Sequence, residues 1–407
     1  MAGTIDDRRE AATGAARGLL PLVAALLLTC LAGWVFKSHC LDGGWTGSEQ
    51  YRTGCYSDAV PFWTGRGVAA GKIPYLEARL EYPVLTGAAI WLEGRLTAIA
   101  FGSDAGAAEF LFFVWLVNAA LAVAVLLMLA RMGLPRSRLW AWSLGPPIVL
   151  YVGHNWDMVA IALAVSAFLL AQRRRLTGAA AVAGLGVAAK LYPVLLLPLV
   201  GLGALSGRGA WPARLRAGAL AAAAAVVAWA AVNLPVALAA FDNWSEFYLF
   251  SQARGGTAAS VWTLLDHFGL LRLPAPDQNR WAGLIFTAGA GAIVAAGWPH
   301  HRDRPWILFT PVLAWFMLTN KVYSPQFDLW LYPVLLVTCR RPTVVAAFAV
   351  TGALAYFAEF RLFIGFERGV ADAEWARMAA AAAARAAAML AVIGSAVAER
   401  PPSWLDR

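Results

Sequence analysis

Apolar residues run for roughly 15 to 20 positions at a time along nearly the whole chain, with polar and charged positions gathered in short breaks between the runs. A helix of that length crosses, or nearly crosses, a hydrocarbon core of about 30 Å. In lipid such a segment must bond its own backbone, so the repeated runs predict a helical bundle and exclude a barrel of short alternating strands. The predicted spans are Leu19–Phe36, Phe110–Leu129, the pair Leu139–Val152 and Met158–Ala171, and the pair Thr177–Ala189 and Leu191–Leu205. Ala217–Leu234, Trp281–Trp298, Trp306–Leu318, Leu329–Cys339, Thr343–Glu359 and Arg377–Val397 complete the set. The fold class is therefore all-α, a polytopic transmembrane helical bundle of about twelve spans (11–13), and several runs are short enough to be broken helices.

Composition agrees: 60% of the 407 residues are hydrophobic and 14% charged, with mean hydropathy +0.61. The net charge of +9 could suggest nucleic acid. The basic residues fall instead in clusters between runs, and these read as topology signals, so no nucleic-acid partner is expected. Holding Arg8/Arg9, Arg131 with Arg136 and Arg138, Arg173–Arg175, Arg208 with Arg214 and Arg216, His300–Arg304, Arg340/Arg341 and Arg400 in the cytoplasm puts both termini inside. Residues 1–18 and 398–407 are then cytoplasmic tails flanking one transmembrane domain, 19–397. The first run is read as an uncleaved helix, since no small-residue cleavage site follows Trp34–His39. Val84–Phe101 breaks the alternation and carries Glu93 and Arg95, which are costly at a bilayer centre. It is expected to be an interfacial or re-entrant helix on the outer side, the alternative being a thirteenth span.

The outer breaks hold the polar residues that need a reason. The first, within an extracytoplasmic stretch 37–101, contains "GCYSDAVPFW", which sets Asp58 among aromatic rings. Ser57–Ala70 and Pro74–Leu80 are expected to be short helices lying on the membrane. The others are "GHNWD" at Gly153–Asp157, "AAKLYP" around Lys190, Phe241–Leu273 with Arg254, and "TNKVYSPQFD" at Thr319–Asp328. Ionisable groups opening onto one face and framed by aromatics suit a polar group carried on a lipid. Lys190 and Lys321, with Arg254 third, could neutralise a phosphate, and Asp58 could take a proton.

In the order "YSDAVPFW", "GKIPYLEARLEYPVL", "GHNWDMVAIAL", "GLGVAAKLYPVLLLPL" and "NKVYSPQFDLWLYP", spanning Tyr56–Pro333, the sequence resembles the GT-C glycosyltransferases, and among them the actinobacterial proteins of glycosyltransferase family 87. The resemblance implies a cell-membrane enzyme that moves a sugar, mannose or arabinofuranose, from a polyprenyl-phosphate donor to a lipid-linked or cell-wall glycan acceptor outside the cytoplasm. It implies Asp58 as catalytic base and no metal or other cofactor. His154, Asp157, Tyr192, Tyr323, Gln326 and Tyr82 are then candidate substrate-binding residues. Some relatives carry a histidine near "NKVYSPQ", where this chain has Lys321.

Each residue also has a plainer role. Asp58 could cap a helix near Phe62, Lys190 could snorkel from a helix end, and Lys321 and Arg254 could be solvated loop charges. His154 with Asp157 is too small a set for a metal. Cys40 and Cys55 share the outer loop, and a disulfide between them would pin the segment carrying Asp58. A transporter or flippase of lipid-linked sugars is the competing class; such proteins favour internal repeats, and none is visible here.

Overall fold

In the computed structural model, residues 6–41, 43 and 45–406 are described, with side chains from residue 18 onward. Asp42, the first five residues of the N-terminal tail, and the side chains of Arg8 and Arg9 lie outside that set. Helix accounts for nearly all regular structure, and among the described residues the one β-feature is an isolated bridge between Pro74 and Ala78. The helices are α1 (Asp6–Ser38), α2 (Glu49–Arg52), α3 (Ala59–Gly65), α4 (Val84–Phe101), α5 (Ala107–Arg131) and α6 (Arg136–Ser143). Then come α7 (Pro146–Tyr151), α8 (Asp157–Gln172), α9 (Leu176–Ala189), α10 (Leu196–Leu205), α11 (Trp211–Ala239) and α12 (Phe241–Ala253). The chain closes with α13 (Val261–His267), α14 (Ala275–His301), α15 (Phe309–Thr319), α16 (Asp328–Thr338), α17 (Pro342–Arg368) and α18 (Asp372–Ala398).

Among the described residues, seven helices are long and apolar enough to cross a membrane: α1 from Gly18, α4, α5, α11, α14, α17 and α18. The remaining expected spans are short and come as three hairpins, α6/α7 with α8, α9 with α10, and α15 with α16. With 14 residues, α9 rises about 21 Å at about 1.5 Å per residue, well short of a hydrocarbon core of about 30 Å. The hairpin turns therefore fall inside the slab the longer helices span. Irregular backbone at that depth is tolerated only where it lines a cavity or is packed in protein. The hairpins form the centre of the bundle, and every residue of α16 is buried.

The predicted span Leu139–Val152 is two helices rather than one. Gly145 is extended (ψ 132°) ahead of Pro146 and Pro147, and a residue before proline is driven out of the helical region. The hydroxyl of Tyr332 donates to Ala141 O at 2.6 Å, serving one carbonyl the break frees. Pro74–Leu80 is not a helix. Tyr75 adopts φ +68°, its N–H donates to Ala78 O at 2.8 Å, and the Glu77 carboxylate accepts from Ile73 N–H. Of Ser57–Ala70 only α3 is helical, whereas Phe241–Leu273 is largely the helices α12 and α13.

Small residues set the closest packing. Gly184 of α9 lies against the backbone of Ala225 in α11, so close that a Cβ there would overlap it. At one end of the bundle the basic clusters meet: Arg138 donates to Arg340 O at 2.8 Å, Arg136 to Gly18 O, and Gln172 to Leu405 O. Arg304 pairs with Asp406 and Arg341 with Glu399 at the same end. The three hairpin turns point to the opposite end, where α4 packs against two of them. Thr86 near the start of α4 donates to Ala189 O at 2.7 Å. In its middle, Glu93 accepts from Trp156 Nε1 at 2.7 Å and Arg95 abuts Gly71.

Candidate active site

Asp58 is positioned from below by the end of α1. Lys37, in the last turn of that helix, is completely buried. Its ammonium donates to Gly54 O at 3.0 Å, Tyr56 O at 2.7 Å and the Tyr356 hydroxyl at 2.8 Å, and lies 3.3 Å from His154 Nδ1. Cys40 and Cys55 are joined by a disulfide. Gly54 turns at φ +78° directly under the rings of Phe36 and Tyr356, where a side chain would not fit. The segment Gly54–Asp58 is thus tied to α1, to α17 and to the α7–α8 turn.

Two further bonds to that turn complete the tie. Asp58 N–H donates to His154 O at 2.8 Å, and the Ser57 hydroxyl to the same oxygen at 3.1 Å. Asp58 stands at the start of α3, yet its side chain makes no capping bond; the Ala59 N–H is met by the Ser57 hydroxyl instead. The carboxylate is left for other partners. Oδ1 accepts from the Tyr56 hydroxyl at 2.8 Å, and Oδ2 lies 3.5 Å from Asn155 Nδ2 and 3.4 Å from Gln326 Nε2. Burial raises the Asp58 pKa above its ordinary value, and Asp157 adds to this, while the Tyr56 hydroxyl, Lys190 and Asn155 pull the other way.

Asp58 opens on a cavity of about 840 Å³. The same cavity is lined by Lys190, Arg254, Lys321, His154, Tyr82, Tyr192 and Gln326, so residues from six separate stretches of sequence converge on it. Lys190 does not snorkel to solvent: its ammonium meets Asp157 Oδ1 at 2.6 Å and stands over the rings of Tyr82 (4.8 Å) and Trp330 (5.7 Å). Lys321 is buried and donates to Gln252 O at 2.9 Å and Arg254 O at 2.6 Å, lacing the α12–α13 connection to the α15–α16 turn. Burial, and then Arg254, lowers its pKa. The Arg254 guanidinium has no hydrogen-bond or ion-pair partner among the described residues and lies over Phe250, 5.3 Å from the ring centroid. Burial lowers its pKa too, and Asp58 opposes this.

Two candidates stand outside the cavity lining. Asp157 lies behind Lys190, with Oδ2 accepting from Trp330 Nε1 at 2.7 Å, so both its oxygens are taken by protein. Tyr323 is buried behind the wall, its hydroxyl on Asp328 Oδ1 at 2.6 Å and its ring under Arg385 at 3.6 Å. Asp157 holds the cavity-lining Lys190, whereas the partners of Tyr323, Asp328 and Arg385, lie behind the lining with it. Tyr192 stacks on Trp330 at 4.5 Å and Trp330 on Phe327 at 3.7 Å, giving one wall a continuous aromatic face. For His154, burial, then Lys37 and Lys190, lowers the pKa. The ring's Nδ1 faces the Lys37 ammonium.

Several site residues were not singled out from sequence. Lys37 looks like an ordinary helix-end lysine, and Tyr56 and Asn155 like loop polars. Glu359 and Arg385, at or within predicted spans, carry a usable signal, since an ionisable group inside a membrane segment is expensive. Close approach of His39, Cys40 and Cys55 resembles a metal cluster, but the two sulfurs are bonded to each other and supply no thiolate.

No family model matches the chain, and no curated protein matches it. Solved structures similar to it include two of one protein. One is ArnT from Cupriavidus metallidurans bound to undecaprenyl phosphate, with TM-score 0.45, 13% identity, and 93% of this chain and 76% of that chain covered. The other is ArnT from the same organism in the apo state, with TM-score 0.44, 14% identity, and 94% and 77% covered.

Proposed function

We propose that the chain is an integral membrane glycosyltransferase of the GT-C type. It transfers a sugar from a polyprenyl phosphate to a glycolipid or cell-wall glycan acceptor at the extracytoplasmic face. The observation that carries this reading is the sharing of one aromatic cavity by a base and three cations, at the end of the bundle opposite the basic clusters. Those clusters mark the cytoplasmic side. The chemistry then takes place where nucleotide sugars are absent and lipid-phosphate sugars are the natural donors, and α4 is an interfacial helix on that side.

The mechanism is a single inverting displacement. As the acceptor hydroxyl oxygen attacks the anomeric carbon, its proton passes to Asp58 and the bond from that carbon to the phosphate oxygen breaks on the opposite face. The raised pKa makes Asp58 a better base than a solvated carboxylate, and Tyr56 fixes which lone pairs face the cavity. The departing phosphate gathers negative charge, which the cations stabilise; such help is worth about 3 kcal/mol. Arg254 leads here, because Lys190 is already held by Asp157 and Lys321 by two carbonyls, leaving the guanidinium with its full set of donors. Lys190 and Lys321 keep N–H groups for a second and third contact. Mannose and arabinofuranose are the donor sugars we favour, from the resemblance to family 87.

The test is transfer from labelled polyprenyl-phosphate mannose and polyprenyl-phosphate arabinofuranose in membranes carrying Asp58→Asn. Loss of general-base catalysis predicts a rate at least about 100-fold lower. A folded variant working at the parental rate would remove Asp58 from the mechanism. A parent that binds neither donor would remove the functional reading itself.

A further inference from the structure

Behind the cavity floor lies a second polar group, built on different residues from those already assigned to base and phosphate. Glu359 of α17 lines the cavity, is 2% exposed, and has an oxygen, Oε2, with no hydrogen-bond partner among the described residues. Gln326 lines the cavity beside Asp58, and its Oε1 is likewise buried and unpaired. Behind them, Arg385 is 1% exposed, with both Nη1 and Nη2 unpaired. Asp328, 2% exposed, has Oδ2 unpaired at 4.0 Å from Arg385 Nη1. Glu359 lies within electrostatic reach of both.

Unpaired buried polar atoms each cost about 1–3 kcal/mol, more when charged, so the two on residues that line the cavity, Glu359 Oε2 and Gln326 Oε1, call for a ligand that pairs with them. The demand is two-sided. Gln326 offers a donor, Nε2, as well as its acceptor, and an ammonium cannot accept from it, while Arg385 stays behind the lining. Glu359 and Gln326 offer acceptors, and the Glu359 carboxylate repels a phosphate. A hydroxyl both donates and accepts, and neighbouring ring hydroxyls do so at the spacing of adjacent protein groups. Water can hold these places in the free protein, and a sugar ring can take them over.

We infer that Glu359 and Gln326, backed by Arg385 and Asp328, form a subsite that binds the hydroxyls of a sugar ring beside Asp58. The inference rests on the glycosyltransferase reading and deepens it by dividing the cavity in two. Phosphate belongs with Arg254, Lys190 and Lys321, and the sugar ring with the Glu359 group. The ring could belong to donor or acceptor, since the hydroxyl chemistry is the same.

Binding of two probes to the full-length protein in detergent tests this: a bare polyprenyl phosphate and the same lipid phosphate bearing mannose or arabinofuranose. If the ring is the donor's, the parent binds the sugar-bearing lipid about tenfold more tightly than the bare lipid. Glu359→Gln, of nearly the same shape, then abolishes that preference without changing affinity for the bare lipid. If the ring is the acceptor's, Glu359→Gln leaves both donor affinities unchanged and raises the acceptor KM about tenfold with kcat retained. Either result supports the subsite. Unchanged values in all three measurements overturn it while leaving the glycosyltransferase reading intact. Failure of the parent to bind either lipid overturns that reading instead. Glu359→Asp, which withdraws the carboxylate by one methylene and keeps its charge, should reproduce the loss, and it serves as the test should the glutamine variant not fold.

Discussion

Asp58 is held at a cost to the fold. Burial raises its pKa above the ordinary 3.8, so between that value and the raised one the folded protein keeps a proton the unfolded chain has released. Stability therefore falls as pH rises through this window. Asp58→Asn removes the ionisation, and at neutral pH the variant should melt higher than the parent while being nearly inactive. The gap should close below pH 3.8, and paired thermal scans across pH would show it. In the parent, the acid limb of kcat/KM should have its midpoint above 3.8, as expected of a base that must be ionised to act. Lys37 is the second residue whose loss should be felt. Lys37→Met leaves the Gly54 and Tyr56 carbonyls and the Tyr356 hydroxyl without their donor. A loss of about 3 kcal/mol is expected, measured as a lowered melting temperature, with weaker transfer because the Asp58 segment is released. Asp58, Lys190, Arg254 and Lys321 were legible in sequence because charge in a polar break between apolar runs is conspicuous. Lys37 was not, because a lysine at a helix end is the commonest sight in a membrane protein and only the fold shows it facing inward. For the same reason Asp157 and Tyr323 looked like ligand contacts, although their partners, Lys190 and Asp328, lie on other helices or turns.

At the scale of the element, hydrophobic run length located nearly every long helix, and Val84–Phe101 coincides residue for residue with α4. What the runs did not reveal was continuity. Hydropathy records which residues are apolar, not whether their backbone stays helical, so Gly145–Pro146–Pro147 passed unseen inside an apolar stretch. The 3-10 turns opening the Tyr192–Leu205 and Pro305–Thr319 segments were hidden for the same reason. The Pro74–Leu80 piece failed in the opposite direction. Its polar residues suit a surface helix, but the bonds of Tyr75 and Glu77 close a tight turn, and such competition from local side-chain bonds is invisible to periodicity. The first outer loop carries its own prediction. The disulfide closes a loop of 15 residues, worth about 3 kcal/mol by restricting the unfolded chain. Replacing Cys40 and Cys55 with serine should lower the melting temperature and slow transfer. Reductant should do the same to the parent and nothing further to the variant; if reductant leaves the parent unchanged, the bond does not hold the Asp58 segment in place.

For the whole molecule, the decisive property is polarity from end to end. The basic clusters, held together by bonds such as Arg138 to Arg340 and Arg304 to Asp406, occupy one end, and the hairpin turns with the cavity occupy the other. Short helices set the depth of the cavity, and on the proposed function turns that stop within the apolar slab would let a lipid-borne phosphate enter from the side and a polar acceptor come from the aqueous face. This arrangement requires the cavity end to face outward, and the chain is well suited to a direct check. Cys40 and Cys55 are bonded to each other and Cys30 and Cys339 are buried, so the parent presents no accessible thiol. Single cysteines at two exposed positions, Lys72→Cys at the cavity end and Arg208→Cys in the basic turn after α10, supply one reporter for each end. A membrane-impermeant maleimide added to intact cells should label the first and leave the second unmodified until the membrane is opened. The reverse pattern would place Asp58 in the cytoplasm, where nucleotide sugars are at hand and a polyprenyl-phosphate donor has no necessity. Labelling of both in intact cells would mean that the basic end does not mark the inner face, and the assignment of sides would lose its physical basis.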